Sequence, residues 1–228
     1  MKILLVAATF SEISPLTEFF VFSSSSNTPL QHYFYKGIKI DILISGVGML
    51  ATAYHLAKTL SLSSEEYDIV LNLGVAGSFD KQIGIGEVVN VVTDSLPELG
   101  AEDGKQFLPL QQLDLLNEND SPFTGGKLKN IYAIKNKTLL ALPKVEGITV
   151  NTIHGNNESI RQITKRLSPQ IESMEGAAFL YACLNENQPC AQIRAVSNYI
   201  EQRNKKNWNI PLAVKNLNQK ALEIIKTL

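Results

Sequence analysis

The sequence predicts an α/β fold, one domain over residues 1–228, in which a central β-sheet is covered by helices on both faces. Short apolar runs recur along the chain, segments with helical spacing lie between several of them, and neither a repeat nor a linker interrupts the 228 residues, 44% of which are hydrophobic. A chain of this length buries one sizeable core.

The candidate strands are residues 3–8, 38–44, 68–73, 88–92, 147–152 and 192–196. Each is too short for a helix and most are rich in Val and Ile. The first follows Met1 and Lys2 and mimics a leader, but its apolar run is six residues and Glu12 follows at once, so it reads as a buried strand. Ser14 before Pro15 reads as a helix cap with proline at the first helical position, and residues 49–60 read as a helix after a glycine turn. Val214, Leu217, Ala221, Ile224, Ile225 and Leu228 form one stripe of a C-terminal helix opened by Pro211. Residues 23–27 are expected as a polar loop, and residues 96–126, with their Pro, Gly, Asp and Asn, as a long irregular excursion. Loops of that length in a compact domain serve a function or an interface.

Composition excludes several classes of function. Twenty-one basic residues balance 22 acidic ones for a net charge of -1, which argues against a basic surface for nucleic acid or an anionic membrane. No apolar run approaches the ~20 residues of a membrane helix. A cytoplasmic protein with a small-molecule partner is expected. Cys183 and Cys190 make no C-x-x-C pair and read as buried core thiols, while His32, His55 and His154 are scattered without zinc spacing, so no metal is expected.

Gly46-Val47-Gly48-Met49-Leu50-Ala51 matches the G-x-G-x-x-A dinucleotide fingerprint, with Glu65 and Glu66 about 20 residues on. In that fold the acidic residue ends the next strand, where it reaches the ribose. Here Glu65, Glu66 and Asp68 precede the strand, whose end, from Asn72 to Ser78, carries no carboxylate. The glycines are read as a tight strand-to-helix turn, and no cofactor is expected.

Four other segments carry chemistry: Thr9-Phe10-Ser11-Glu12, Asn72-Leu73-Gly74-Val75-Ala76-Gly77-Ser78, Glu172-Ser173-Met174-Glu175-Gly176-Ala177-Ala178 and Arg194-Ala195-Val196-Ser197-Asn198. Three of them follow or end predicted strands, and the fourth opens a helix at the same edge, where open α/β sheets bind ligands. With the G-x-G turn and the Gly86-Glu87-Val88-Val89 strand, taken in chain order, these segments resemble the nucleoside phosphorylase and nucleosidase family over nearly the whole chain. The resemblance implies a mixed central sheet in a three-layer α/β/α sandwich, cleavage of a purine nucleoside, and a homo-oligomer in which the 96–126 excursion is a candidate contact.

Breaking a ribosidic C–N bond passes through a sugar with oxocarbenium character. It calls for a base to activate the nucleophile, a grip on the sugar hydroxyls and a partner for the departing base. By the resemblance, Glu12 is the general base, Arg194 pairs with it, and Met174 and Glu175 hold the ribose. Ser78, in the glycine-rich segment, is placed with the substrate. Asn198 stands where relatives that act on adenine nucleosides carry Asp. Its carbonyl accepts from N7–H and its amide donates to O6, which selects a 6-oxopurine. Ser197 steadies that amide, and Arg203, with Lys205, Lys206 and Trp208, is the candidate for an acidic group on the sugar's 5′ side. The segment from Ala7 to Phe20 has no Lys or Arg, which favours water over phosphate as acceptor. The alternatives are a phosphorylase, an adenine-nucleoside nucleosidase and a nucleoside-binding protein without catalysis.

Overall fold

The computed structural model describes residues 1–25 and 29–228. In chain order the elements are β1 (Lys2–Ala7), α1 (Phe10–Thr17), β2 (Val21–Ser25), β3 (Leu30–Tyr35), β4 (Ile38–Ile44), α2 (Met49–Leu62), β5 (Ile69–Ser78) and β6 (Val88–Ser95). There follow β7 (Gly100–Asp103), β8 (Gln106–Pro109), β9 (Phe123–Thr124), β10 (Lys127–Lys129), α3 (Lys137–Leu140) and β11 (Lys144–Thr149). The chain closes with α4 (Asn157–Leu167), β12 (Ile171–Ser173), α5 (Gly176–Asn185), β13 (Cys190–Tyr199), a short 3-10 turn (Lys205–Asn207) and α6 (Ile210–Ile225).

Among the described residues β7 and β8 pair apart, and the other eleven strands form one mixed sheet. Its centre is parallel: β1 lies between β4 and β5, with Leu5 opposite Ile42 on one side and Leu71 on the other, and β13 runs beside β5. β13 also pairs antiparallel with β6, and the ladder returns through β11 and β12 to the end of β5, so five strands close on themselves. Strand alternation sends side chains to opposite faces. Ile3, Leu5 and Ala7 pack with Ile13 and Leu16 of α1 and with Leu217, Ala221 and Ile224 of α6, while Leu4 and Val6 pack with Leu56 of α2 and Phe179, Leu180 and Cys183 of α5. The expected three layers are present.

All six expected strands form, and three run further at their C-terminal ends. The glycine-rich segment Gly74 to Ser78 continues β5, β6 runs on to Ser95, and β13 extends through Tyr199. Helix α1 starts at Phe10 rather than at Ser14 and carries Pro15 inside it. The earlier start follows from Thr9, whose backbone N–H and hydroxyl both donate to Glu12 Oε2 at 3.0 and 3.1 Å, a side-chain closure of the first turn. Asn209 caps α6 by accepting from Leu212 N, with Pro211 in the first turn. That helix ends at Ile225, and Leu228 packs on the core from beyond it. Of the polar loop expected over 23–27, residues 23–25 belong to β2 and the rest lie outside the described residues. The 96–126 excursion is more ordered than expected, since it contains the β7–β8 hairpin and reaches β9. Both cysteines are buried and unpaired. Among the described residues no helix is long and apolar enough to cross a membrane.

A buried polar layer fixes α5 to the sheet. Asp94 of β6, fully buried, accepts from Thr149 Oγ1 at 2.9 Å and Gln192 Nε2 at 3.0 Å, and Thr149 Oγ1 in turn accepts from Ala177 N at 2.7 Å. Burial pushes the Asp94 carboxyl up from 3.8 to about 6, against the lowering effect of Gln192, Thr149 and Arg194. Gly176 lies against this layer: a methyl group there would sit 2.1 Å from Gln192 Nε2 and 2.3 Å from Asp94 Oδ2. Gly176→Ala is therefore expected to lower stability by about 1–3 kcal/mol through overpacking, read from urea unfolding. The folded chain holds the Asp94 proton to higher pH than the unfolded chain does. Its contribution is thus full below the unfolded value of 3.8 and is lost as pH rises through about 6. A shift of this size corresponds to roughly 3 kcal/mol. Asp94→Asn is expected to flatten that part of the stability profile, and an unchanged fall in unfolding free energy between about pH 4 and 7 would show that Asp94 does not cause it.

Candidate active site

β1, β4, β5 and β13 are mutually parallel through their ladders, so their C-terminal ends meet at one edge of the sheet. Ligands of α/β sheets bind at such an edge. Glu12 follows β1, the Gly46–Gly48 turn follows β4, Gly74–Ser78 ends β5 and Ser197–Asn198 ends β13; Met174 and Glu175 join β12 to α5.

Glu12 lies in the first turn of α1. Besides the two donors from Thr9, it receives the Val75 backbone N–H on Oε1 at 3.2 Å. Asn218 of α6 reaches into α1 from the other side, donating to Glu12 O at 2.8 Å and accepting from Leu16 N at 3.1 Å. Its amide bridges the helical turn that carries the carboxylate. The sequence reading missed Asn218, whose one signal is a polar residue next to Leu217 on an otherwise apolar helix face.

Arg194 is fully buried, with Nη1 on Ile193 O at 3.3 Å and Nε without a hydrogen-bond partner among the described residues. Burial lowers its pKa, opposed by the charges of Glu175, Glu12 and Asp94. The expected pairing with Glu12 takes an indirect form. The two make neither a hydrogen bond nor a close ion pair but stand beside the same glycine, where a methyl on Gly74 would lie 3.2 Å from Arg194 Nη1 and from Glu12 Oε1. Gly74 leaves room for both.

Glu175 caps α5 and is nearly buried. Its Oε1 accepts from Gly48 N at 3.0 Å, and Oε2 has no partner among the described residues. Gly46 and Gly48 have φ of +83° and +94°, a region that disfavours side chains. The turn that mimics a dinucleotide fingerprint thus presents its amide to Glu175. Met174 is half-buried beside it.

A β-bulge at Ser197 shifts the register so that Val196 faces Ala76 and Asn198 faces Gly77. Bulges re-aim side chains beside active sites. Ser197 Oγ donates to Asn198 Oδ1 at 2.8 Å and Asn198 Nδ2 donates to Tyr199 O at 3.0 Å. The amide is pinned at both ends while keeping one acceptor lone pair and one N–H.

Two expected site residues stand outside this cluster. The Ser78 hydroxyl is fully buried and engaged with Asp80 O at 2.8 Å, Asp80 N at 3.1 Å and Gln170 O at 3.2 Å, so it fastens the turn after β5. Arg203 is exposed on the loop after β13, with its guanidinium 5.1 Å from the Trp208 ring centre and its N–H on Gly155 O. That loop returns to its root, because Asn209 N donates to Ser197 O at 2.8 Å.

A family model described as the phosphorylase superfamily matches residues 2–227. The chain is 30% identical to a futalosine hydrolase of Acidothermus cellulolyticus over 78% of this chain and 71% of that one, and 28% identical to a futalosine hydrolase of Thermus thermophilus over 76% and 75%. Among solved structures, a 5′-methylthioadenosine/S-adenosylhomocysteine nucleosidase of Colwellia psychrerythraea in complex with adenine superposes with a TM-score of 0.80 at 19% identity, covering 100% of this chain and 96% of that one. A futalosine hydrolase mutant of Helicobacter pylori gives a TM-score of 0.79 at 16% identity, with 100% of both chains covered. With nearly every residue from β1 to the end of α6 inside the match, the chain belongs to the phosphorylase superfamily.

Proposed function

We propose that this protein is a purine nucleoside N-glycosidase that hydrolyses futalosine, releasing hypoxanthine and dehypoxanthine futalosine on a menaquinone-forming route. The observation that carries the reading is the convergence at one strand edge of a restrained carboxylate (Glu12), a buried carboxylate with a free oxygen (Glu175) and a pinned amide (Asn198). Similarity to futalosine hydrolases supports the substrate.

In this mechanism Glu12 removes a proton from water as it attacks the sugar's anomeric carbon, and the C–N bond breaks with its electron pair going to the base. Glu175 Oε2 accepts from the ribose hydroxyls and opposes the positive charge developing on the ring. A solvent proton goes to N7 as the electron pair arrives on the base; Asn198 accepts from the resulting N7–H and donates to O6. Arg194 fixes the electrostatic setting of both carboxylates from beneath. Phosphate is disfavoured as the acceptor: the Val75 amide, a donor a phosphate would need, is taken by Glu12. A carboxylate about 4 Å from an anion adds roughly 4 kcal/mol of repulsion per charge at an effective dielectric near 20. Arg203 beside Trp208 is assigned to the acidic 5′ tail of futalosine, and the 96–126 excursion to a neighbouring subunit.

A second reading, as a methylthioadenosine/adenosylhomocysteine nucleosidase, is favoured by 24% identity to such an enzyme of Staphylococcus aureus over 72% of each chain. Asn198 opposes it, since a 6-amino group needs an acceptor where the amide donates.

Chromatography after incubation with futalosine, inosine, adenosine and methylthioadenosine in phosphate-free buffer is expected to show hypoxanthine from futalosine. Activity that appears only with phosphate and yields a sugar 1-phosphate would contradict hydrolysis. Glu12→Gln keeps the shape but removes the base and is expected to reduce kcat about 10²- to 10⁴-fold with little change in substrate binding. Asn198→Asp places an acceptor against O6. The ratio of kcat/KM for matched 6-oxo and 6-amino nucleosides should fall roughly 10- to 100-fold, and an unchanged ratio would remove Asn198 from base recognition.

A further inference from the structure

We infer that His154, oriented by Glu172, reads the edge of the purine beyond O6 and accepts its N1–H, so that the lactam form of the base is recognised at two points. The inference rests on the nucleosidase reading above and names a residue to which that reading gave no role.

The placement follows from sheet register. At the end of β5, Gly77 is paired with Glu172 of β12 on one side and with Asn198 of β13 on the other. Residues paired across neighbouring strands project to the same face, so Glu172 and Asn198 face one space from two strands about 10 Å apart. Between them Gly77 contributes no side chain. Its missing Cβ would lie 3.3 Å from Asn198 Nδ2 and 2.2 Å from Ile200 Cδ1, so on this same face Ile200 fills the room the glycine leaves and forms an apolar floor beside the amide. A planar base lying on that floor has Asn198 at one rim and the Glu172 side at the other.

Glu172 is almost wholly buried and both its oxygens are turned to His154, Oε1 accepting from the backbone N–H at 2.9 Å and Oε2 pairing with Nδ1. The imidazole is further held edge-on against Phe79, ring centres 6.1 Å apart, and the following Gly155 carbonyl is tied by Arg203 N. A buried carboxylate accepts only, so in the neutral ring it fixes the proton on Nδ1 and leaves Nε2 as an oriented lone pair. Nε2 has no hydrogen-bond partner among the described residues, and the side chain is 13% exposed, so that lone pair is open to a ligand.

The chemistry of the base completes the match. A 6-oxopurine carries O6, an acceptor, next to N1–H, a donor; a 6-aminopurine carries the reverse pair. Asn198 offers a donor to O6 and His154 an acceptor to N1–H. A 6-aminopurine would set acceptor against acceptor at N1, leaving two polar atoms unpaired in a half-buried site.

The test compares kcat/KM for matched 6-oxo and 6-amino nucleosides, together with binding of free hypoxanthine and adenine, in the wild type and in His154→Phe and His154→Ala, all at one pH. Both variants are expected to lower the 6-oxo to 6-amino ratio roughly tenfold, mainly through KM of the 6-oxo substrate, and to weaken hypoxanthine binding without weakening adenine. A disturbed loop or a partly unfolded sample lowers both substrates together. A proportional loss with an unchanged ratio in both variants therefore overturns the inference. Should the wild type hydrolyse futalosine while the variants keep its selectivity, only the role of His154 fails. If the wild type neither cleaves a purine nucleoside nor binds hypoxanthine, the nucleosidase reading fails with it.

Discussion

A guanidinium buried in the middle of a β-sheet is the constraint around which this molecule is arranged. Removing an isolated cation from water costs several kcal/mol even after relaxation, and Arg194 is fully buried with its Nε unpaired among the described residues. Its charge is offset by three carboxylates on three different elements: Glu175 before α5, Glu12 in α1 and Asp94 in β6. None of the three forms a close ion pair with it, so their attraction acts through space and depends on the sheet holding all four groups in register. Gly74, whose missing side chain would collide with neither backbone nor core but with Arg194 and Glu12 themselves, is the local expression of that requirement.

The same constraint explains why the polar groups are so heavily braced. Glu12 is fastened by Thr9 and Val75, and its helix by Asn218; Glu175 is fastened by Gly48; Asp94 by Thr149 and Gln192. Apart from Thr9, each brace comes from another element, so the site exists only in the assembled fold. Preorganisation of this kind lets charge develop in a transition state without the protein having to reorganise.

Much of this was legible in the sequence, and the unread parts share a cause. The central strands announced themselves because strands buried on both faces read as continuous apolar runs. Glu12, Glu175, Arg194 and Asn198 were singled out because they sit inside short segments at strand ends. β2 and β7 were missed because they are exposed along their whole length, with no apolar face to show a period. The start of α1 was misplaced because Ser14-Pro15 is a stronger local cap signal than Thr9, whose closure of the turn depends on Glu12 being held in place. Ser78 looked like a ligand group because it ends a glycine-rich segment, yet its hydroxyl has backbone partners from a segment 92 residues away. His154 and Glu172 lie 18 residues apart and acquire meaning only when β12 pairs beside β5. Side-chain pairs made by topology leave no spacing to read.

The loop after β13 leaves the sheet at Tyr199 and comes back to it at Asn209, whose amide is bonded to the carbonyl of Ser197. Chain length or composition between those two points therefore changes without moving the bulge that aims Asn198. In the function proposed above, the aim of Asn198 is set by the sheet ladder, whereas the loop is a closed appendage rooted on it that meets the rest of the site through Ile200 and the Arg203 backbone N–H. Under the proposed function, the group recognised on the sugar's 5′ side changes with the loop residues from Glu201 to Trp208, while the choice of purine stays anchored in the sheet ladder.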